Sequence, residues 1–283
     1  MMKKTILELI NYGTRELKES DTPRLDAELI LSKVLEKDKL YLLMNKQETV
    51  SEIYVNEYYS LINLRKEKMP VKYILGKCEF YGIDLYIEQG VLIPRGDTEI
   101  LVEEVLKLID TKKEIHLCDL CSGSGAIGIA IAKNSSNVFV DEIDYYDKPE
   151  KITKINIQKN NLSDKVKFIK SDLLNEVIDK TTYDIIVSNP PYIKKQDIDE
   201  LMSDVKDYEP ITALDGGNDG LYFYKKIISQ SKKVLKFNGI LAFEIGYDQA
   251  NDIRKILEIN GYKNIKVVKD LAGLDRVVIA FLQ

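Results

Sequence analysis

The chain has 283 residues, 45% of them hydrophobic and 31% charged, with a net charge of −5. That length holds one large domain or two modest ones. The acidic balance argues against a broad nucleic-acid-binding face, and no apolar run approaches the ~18 residues that a membrane span needs.

The start, Met1-Met2-Lys3-Lys4, leads into a mixed polar and apolar stretch rather than a signal core, which places the protein in the cytoplasm. Residues 1–70 read as a small all-α domain. Apolar residues recur at helical spacing in Ile6, Leu7, Ile10 and Leu17. A second helix is expected from Ser20-Asp21-Thr22-Pro23, where a capping side chain precedes an early-turn proline. It carries Leu25, Leu29, Ile30 and Val34 on one side. Shorter helical pieces follow from Leu40 to Met44 and from Ser51 to Lys68. This segment holds no catalytic constellation and suits a scaffold or a substrate-docking module.

Residues 71–93 read as a β-hairpin linker, because Phe80 to Ile87 alternates around a turn glycine, Gly82. From 94 to 283, strands alternate with helices. The expected strands are Ile115–Asp119, Val138–Ile143, Val166–Lys170, Tyr183–Ser188, Gly239–Ile245, Ile265–Lys269 and Val277–Leu282. The expected helices are Glu99–Asp110, Ala126–Lys133, Glu150–Lys159, Tyr222–Leu235 and Gln249–Asn260. This βαβ rhythm implies an α/β fold with a mostly parallel seven-stranded sheet covered on both faces. The short connection between the last two strands implies an antiparallel finish.

In such a sheet a ligand sits beyond the carboxyl ends of the strands. Three features fall at such ends. The first is the turn Asp119-Leu120-Cys121-Ser122-Gly123-Ser124-Gly125, whose glycines let the backbone approach a ligand. No Gly-Lys-Ser/Thr follows, so it is not a phosphate-cradling P-loop. The second is Asp144, 19 residues after Gly125, placed to accept from both hydroxyls of a ribose. The third is Asp172-Leu173, which can accept from an exocyclic amine and pack on its ring.

The three cysteines are Cys78, Cys118 and Cys121, and the one histidine is His116. An odd count does not suggest a secreted disulfide framework. Zinc needs four ligands and no second Cys-x-x-Cys exists, so Cys118 reads as a buried strand residue and Cys121 as a loop residue, with no metal.

The next strand end carries Asn189-Pro190-Pro191-Tyr192. Two prolines can neither continue a central strand nor enter a helix interior. The backbone becomes a stiff corner that aims the Asn189 carboxamide and the Pro190 carbonyl. Two acceptors can then grip both hydrogens of a planar –NH2, with Tyr192 against its flat face or bracing the corner.

This tetrapeptide resembles the signature of methyltransferases that alkylate planar amino or amide nitrogens. With the 119–125 loop, Asp144 and Asp172 it looks like a class I S-adenosylmethionine-dependent methyltransferase, with a Rossmann-like sheet. Ile93-Pro94-Arg95-Gly96-Asp97-Thr98-Glu99, Tyr208-Glu209-Pro210, Phe243-Glu244-Ile245-Gly246 and Asp275-Arg276-Val277 narrow the resemblance to the HemK/PrmC family of N5-glutamine methyltransferases. Two positions depart from it: Cys121 stands where that family usually has the first loop glycine, and Gly96 where it usually has proline. A cysteine at 121 requires a φ that a side chain tolerates.

The resemblance implies that S-adenosylmethionine binds at Asp119, Cys121, Ser122, Gly123, Ser124, Gly125, Asp144, Asp172, Leu173 and Asn189, and leaves as S-adenosylhomocysteine. It implies a substrate glutamine in the Gly-Gly-Gln motif of peptide chain release factors, held by Asn189, Pro190, Pro191 and Tyr192. Asn189 and Pro190 would orient the nitrogen and stabilise its developing charge. Arg95, Thr98 and Glu99 can shape the mouth. A sister enzyme acting on a ribosomal-protein glutamine and an adenine amino-methyltransferase of nucleic acids would share the tetrapeptide. Asp97-Thr98-Glu99 favours the release-factor branch, and the second rival should carry a basic face that is not evident.

Overall fold

The computed structural model describes residues 4–283. Two compact units emerge, one built from residues up to Lys77 together with Met202–Tyr208, the other from Cys78–Leu201 and Glu209–Gln283.

In the first unit, strand β1 (Lys4–Thr5) pairs antiparallel with β2 (Thr49–Val50), a contact too short to show in the sequence pattern. Helix α1 (Ile6–Glu16) opens on a capping box. The Thr5 hydroxyl accepts from Glu8 N–H at 3.2 Å and Glu8 Oε2 accepts from Thr5 N–H at 2.8 Å. Helix α2 (Pro23–Leu35) starts with proline in its first turn, yet Thr22 makes no backbone cap. Its hydroxyl instead donates to Asp26, which also accepts from Ser20 and, at 2.7 Å, from Arg65. Three donors offset the cost of burying that carboxylate.

The core face of α2 is Ala27, Ile30, Leu31 and Val34. Leu25, expected on that face, is 39% exposed, because the stripe starts two residues later. Helices α3 (Lys39–Met44), α4 (Glu52–Lys66) and α5 (Val71–Leu75) complete the bundle around Tyr58 and Ile62. Val71–Leu75, expected within a hairpin linker, is therefore helical and packs on α2 and α4. The Tyr208 hydroxyl donates to the Glu67 carbonyl at 2.6 Å, which ties Met202–Tyr208 into this unit.

The second unit opens with the hairpin β3 (Lys77–Phe80) and β4 (Ile83–Tyr86). Tyr81 and Gly82 both take positive φ at its turn, as a two-residue hairpin of right-handed twist requires. The hairpin clusters with this unit instead of forming a separate linker, since Phe80, Ile83 and Leu85 are buried in its core.

Helix α6 (Glu99–Leu106) leads into strand β5 (Ile115–Leu120). Helix α7 (Ala126–Asn134), β6 (Val138–Asp144), α8 (Asp147–Lys159), β7 (Val166–Lys170) and β8 (Tyr183–Ser188) follow. A four-residue α9 (Ser203–Lys206) lies in the excursion already described. The chain ends α10 (Tyr222–Ser231), β9 (Leu235–Glu244), α11 (Ala250–Ile259), β10 (Tyr262–Lys269) and β11 (Asp275–Leu282). The seven-stranded sheet runs β10-β11-β9-β8-β5-β6-β7, parallel except for β11.

Alternation along each strand sends one set of residues to each face. Ile185 and Val187 of β8 join Leu101, Ile129 and Ile157 from α6, α7 and α8 on one face. Ile186 joins Tyr224, Ile227 and Ile253 from α10 and α11 on the other, as does Tyr183, which lies beyond an irregularity in the β8 pairing. One expectation shifts here. The helix expected to reach Leu235 stops at Ser231, because Leu235 pairs with Tyr183 at the start of β9, before a register shift near Gly239. Among the described residues, no helix is long and apolar enough to cross a membrane.

Candidate active site

The sheet reverses direction of winding between β5 and β8, and a cavity of about 390 Å³ opens beyond the carboxyl ends of β5, β6 and β8. Cys121, Ser122, Gly123 and Ser124 line it from the glycine turn. Asp144, Asp172 and Leu173 line it from the next two strand ends, and Asn189 and Pro191 from the Pro-Pro corner. Thr98, expected at the mouth, lines it too, and residues not singled out from sequence complete the wall, among them Tyr146, Thr212 and Phe223.

The turn owes its shape to alternating positive φ at Cys121 (+60°), Gly123 (+57°) and Gly125 (+75°). Cys121 thus sits in the small left-handed region that side chains enter at a cost of roughly 1–2 kcal/mol. Burial pushes its thiol up, so it stays protonated and unreactive. His116 is half exposed beside Glu114, and Cys118 is fully buried.

Asp144 is clamped at the tip of β6. It accepts from Gly123 N–H at 3.0 Å, Tyr145 N–H at 2.8 Å and Tyr146 N–H at 3.3 Å. Burial raises its pKa and those three donors oppose the rise. The loop is held from behind by α8. The Thr153 hydroxyl donates to the Gly123 carbonyl at 3.1 Å, and Asn156 Nδ2 donates to the Ser124 carbonyl at 2.9 Å and the Tyr86 carbonyl at 3.0 Å. Helical periodicity gave no hint of either role.

Asp119 lies beneath the turn and does not line the cavity. It is fully buried, and its Oδ2 accepts from Gly128 N–H at 2.8 Å. It therefore anchors the start of α7 rather than facing a ligand. Gly125 likewise faces away, toward Thr153, where a Cβ would come within 2.9 Å.

At the corner, Asn189 Nδ2 donates to the Thr98 hydroxyl at 3.3 Å, which leaves Oδ1 as the free end of the amide. Pro190 and Tyr192 do not line the cavity. The Tyr192 ring packs against the core of the second face, and its hydroxyl donates to Glu244 Oε1 at 3.2 Å. Among the described residues no backbone N–H donates to the Pro190 carbonyl. Gln249 fixes the corner from below, donating to the carbonyls of Tyr192 (3.0 Å) and Gly220 (3.2 Å). Gly216 lets the following segment lie directly on the corner, since a Cβ there would meet the Tyr192 backbone at 2.7 Å. Arg95 pairs with the buried Glu209 at 2.5 Å, which draws residues 209–213 over the cavity, where Pro210, Thr212 and Ala213 line it.

Solved structures share this architecture. The methyltransferase from Pyrococcus furiosus superposes with a TM-score of 0.52 at 18% identity, covering 79% of this chain and 96% of that one. The hMettl16 catalytic domain in complex with MAT2A 3'UTR hairpin 6 superposes at 0.58 and 18%, covering 83% and 84%. The fold is thus one shared with α/β methyltransferases. Residues 96–205 match the methyltransferase small domain, and residues 8–76 match the PrmC N-terminal domain. The release factor glutamine methyltransferase of Clostridium botulinum is 51% identical over 268 residues, covering 94% of this chain and 95% of its own. Those of Clostridium acetobutylicum and Fusobacterium nucleatum are 50% and 42% identical, covering 90% and 98% of this chain and 90% and 79% of theirs. The chain belongs to the release factor glutamine methyltransferase family.

Proposed function

We propose that this protein transfers a methyl group from S-adenosylmethionine to the side-chain amide nitrogen of the glutamine in the Gly-Gly-Gln motif of peptide chain release factors, in the cytoplasm. The carrying observation is the Asn189 amide, tethered through its nitrogen to Thr98, with its oxygen left to accept.

The cavity suits the cofactor in its donor set. Asp144 at the tip of β6 would hold the ribose, Asp172 and Leu173 would take the adenine, and the 121–125 turn would lie along the amino-acid end. The buried Ser122 hydroxyl, beside Glu142, offers a further contact. When bound, the cofactor supplies an electrophilic methyl on a positively charged sulfur.

An amide nitrogen is a poor nucleophile, because its lone pair is delocalised into the carbonyl. Asn189 Oδ1 and the Pro190 carbonyl accept its two hydrogens, which orients the nitrogen and favours positive charge on it. No side-chain base needs to act first, and the proton leaves after transfer. Tyr192 serves from behind the corner, as a brace rather than a platform. The strap 209–213 excludes water from the cofactor side.

The test is incubation of the purified protein with S-adenosylmethionine and a release factor, followed by mass spectrometry of the Gly-Gly-Gln peptide. A gain of one methyl on the glutamine side chain is expected. Methyl found elsewhere, or none, overturns the reading.

A further inference from the structure

Thr98 closes the short 3-10 turn Gly96–Thr98 and is buried at the cavity wall. Its oxygen accepts from Asn189 Nδ2, so its one proton must find an acceptor elsewhere. Glu244, the last residue of β9, is 2% exposed. Its Oε1 accepts from the Tyr192 hydroxyl, while its Oε2 is buried without a fully formed hydrogen bond. Burial pushes the Glu244 carboxyl up, and the Thr98 hydroxyl, Arg276 and Tyr192 pull it back. A hydroxyl in need of an acceptor thus adjoins a buried carboxylate oxygen in need of a donor. One bond satisfies both.

We propose that Glu244 is a positioning residue that acts through Thr98 to set which way the Asn189 amide faces. A carboxylate can only accept. Thr98 must then donate to Glu244, must therefore accept from Asn189 Nδ2, and so turns Asn189 Oδ1 toward the substrate. The same carboxylate takes the Tyr192 hydroxyl on its other oxygen, so one buried charge holds both ends of the Asn-Pro-Pro-Tyr corner. A flipped Asn189 would present an –NH2 to the substrate's –NH2, donor against donor. The inference rests on the reading of Asn189 as an acceptor for the substrate amide.

The substitution Glu244→Gln reverses the relay at almost constant shape. Its –NH2 can donate to Thr98, which frees the Thr98 proton to bond Asn189 Oδ1 and flips the amide. Single-turnover rates would be measured with a release factor as substrate, and S-adenosylmethionine affinity by calorimetry. Glu244→Gln and Thr98→Val should each lower kcat about 10–100-fold, the penalty of one mispaired buried polar group. For Glu244→Gln, which lies outside the cavity lining, cofactor Kd should stay within about threefold. Thr98→Ser, which keeps the hydroxyl, should recover most of the rate lost in Thr98→Val. The double variant should be no worse than the poorer single one, because both break the same chain of bonds.

A Glu244→Gln enzyme with near-normal kcat overturns the relay, as does a double variant whose losses multiply. If Glu244→Gln stays active while Asn189→Ala is dead, only the relay fails. If Asn189→Ala is itself fully active, the acceptor reading falls and takes the relay with it.

Discussion

Asp119 and Glu142 stand side by side on the paired strands β5 and β6, both wholly buried. Burial drives the Asp119 carboxyl up to about 7, with Glu142 and Gly128 N–H opposing. Burial and the nearby Asp119 push the Glu142 carboxyl well above the ordinary carboxylate range. The folded protein therefore holds protons here that the unfolded chain has released above pH ~4. With the folded pKa above the unfolded one, this pair's contribution to stability is full below pH ~4 and declines as pH rises toward about 7. Glu142→Gln removes one of the two acids and offers an N–H to the Asp119 carboxylate in place of the shared proton. Calorimetric melts of wild type and variant should diverge with pH. By pH 8 the variant should gain about 1–2 kcal/mol, or roughly 3–6 °C. A gap that does not grow between pH 5.5 and pH 8 refutes the shared-proton account.

Cys121 holds a left-handed conformation, as do Gly123 and Gly125 after it. Cys121→Gly should relieve that strain, less the entropy that glycine adds to the unfolded chain. The expected net gain is about 0.5–1 kcal/mol in chemical denaturation, with unchanged m. A loss of stability would mean that the thiol's packing outweighs the backbone cost.

Gly96 sits at the first position of a 3-10 turn, and a Cβ there meets nothing within 4 Å. Arg95 before it is already extended at φ −102° and ψ 149°, as a residue preceding proline must be. Gly96→Pro should stabilise the fold by about 0.4–1 kcal/mol through the unfolded state. Destabilisation in urea melts would show that the turn's φ does not suit the ring.

Asp144→Ala should weaken S-adenosylmethionine binding by about 10–100-fold, the worth of charge-assisted hydrogen bonds to a ribose. It also strips the acceptor that gathers the N–H groups of Gly123, Tyr145 and Tyr146. Unchanged affinity by isothermal calorimetry would move the ribose role elsewhere.

Asn189→Ala should lower kcat by about 10²–10³-fold, the usual cost of removing one preorganised group at a reacting centre. Cofactor affinity should change little, because the other sheet-edge ligands remain. A variant that methylates release factor at the normal rate would contradict the proposed grip.

Much of the second unit was legible from local rules. The Val166–Lys170 and Tyr183–Ser188 strands sit where period-2 and apolar runs placed them. Helix ends were less legible: the residues after Ser231 can continue a helix by propensity, and only pairing with Tyr183 turns Leu235 into a strand. In the first unit Ile30 and Val34 lie in the core face of α2 as periodicity places them, while Leu25 is exposed and Ala27 is buried in its stead.

The sequence by itself determined the α/β rhythm, the glycine turn and the Pro-Pro corner, because periodicity and proline sterics act within a few residues. Tertiary structure alone decided that Thr98 meets Asn189 across 91 positions and that Tyr192 meets Glu244 across 52. It also decided that Asp119 lies under the site while Asn156 and Gln249 hold its loops. These are bonds between chain-distant groups brought together by the order of strands in a sheet. A threonine or glutamate carries no local mark of the partner that such an order will assign to it.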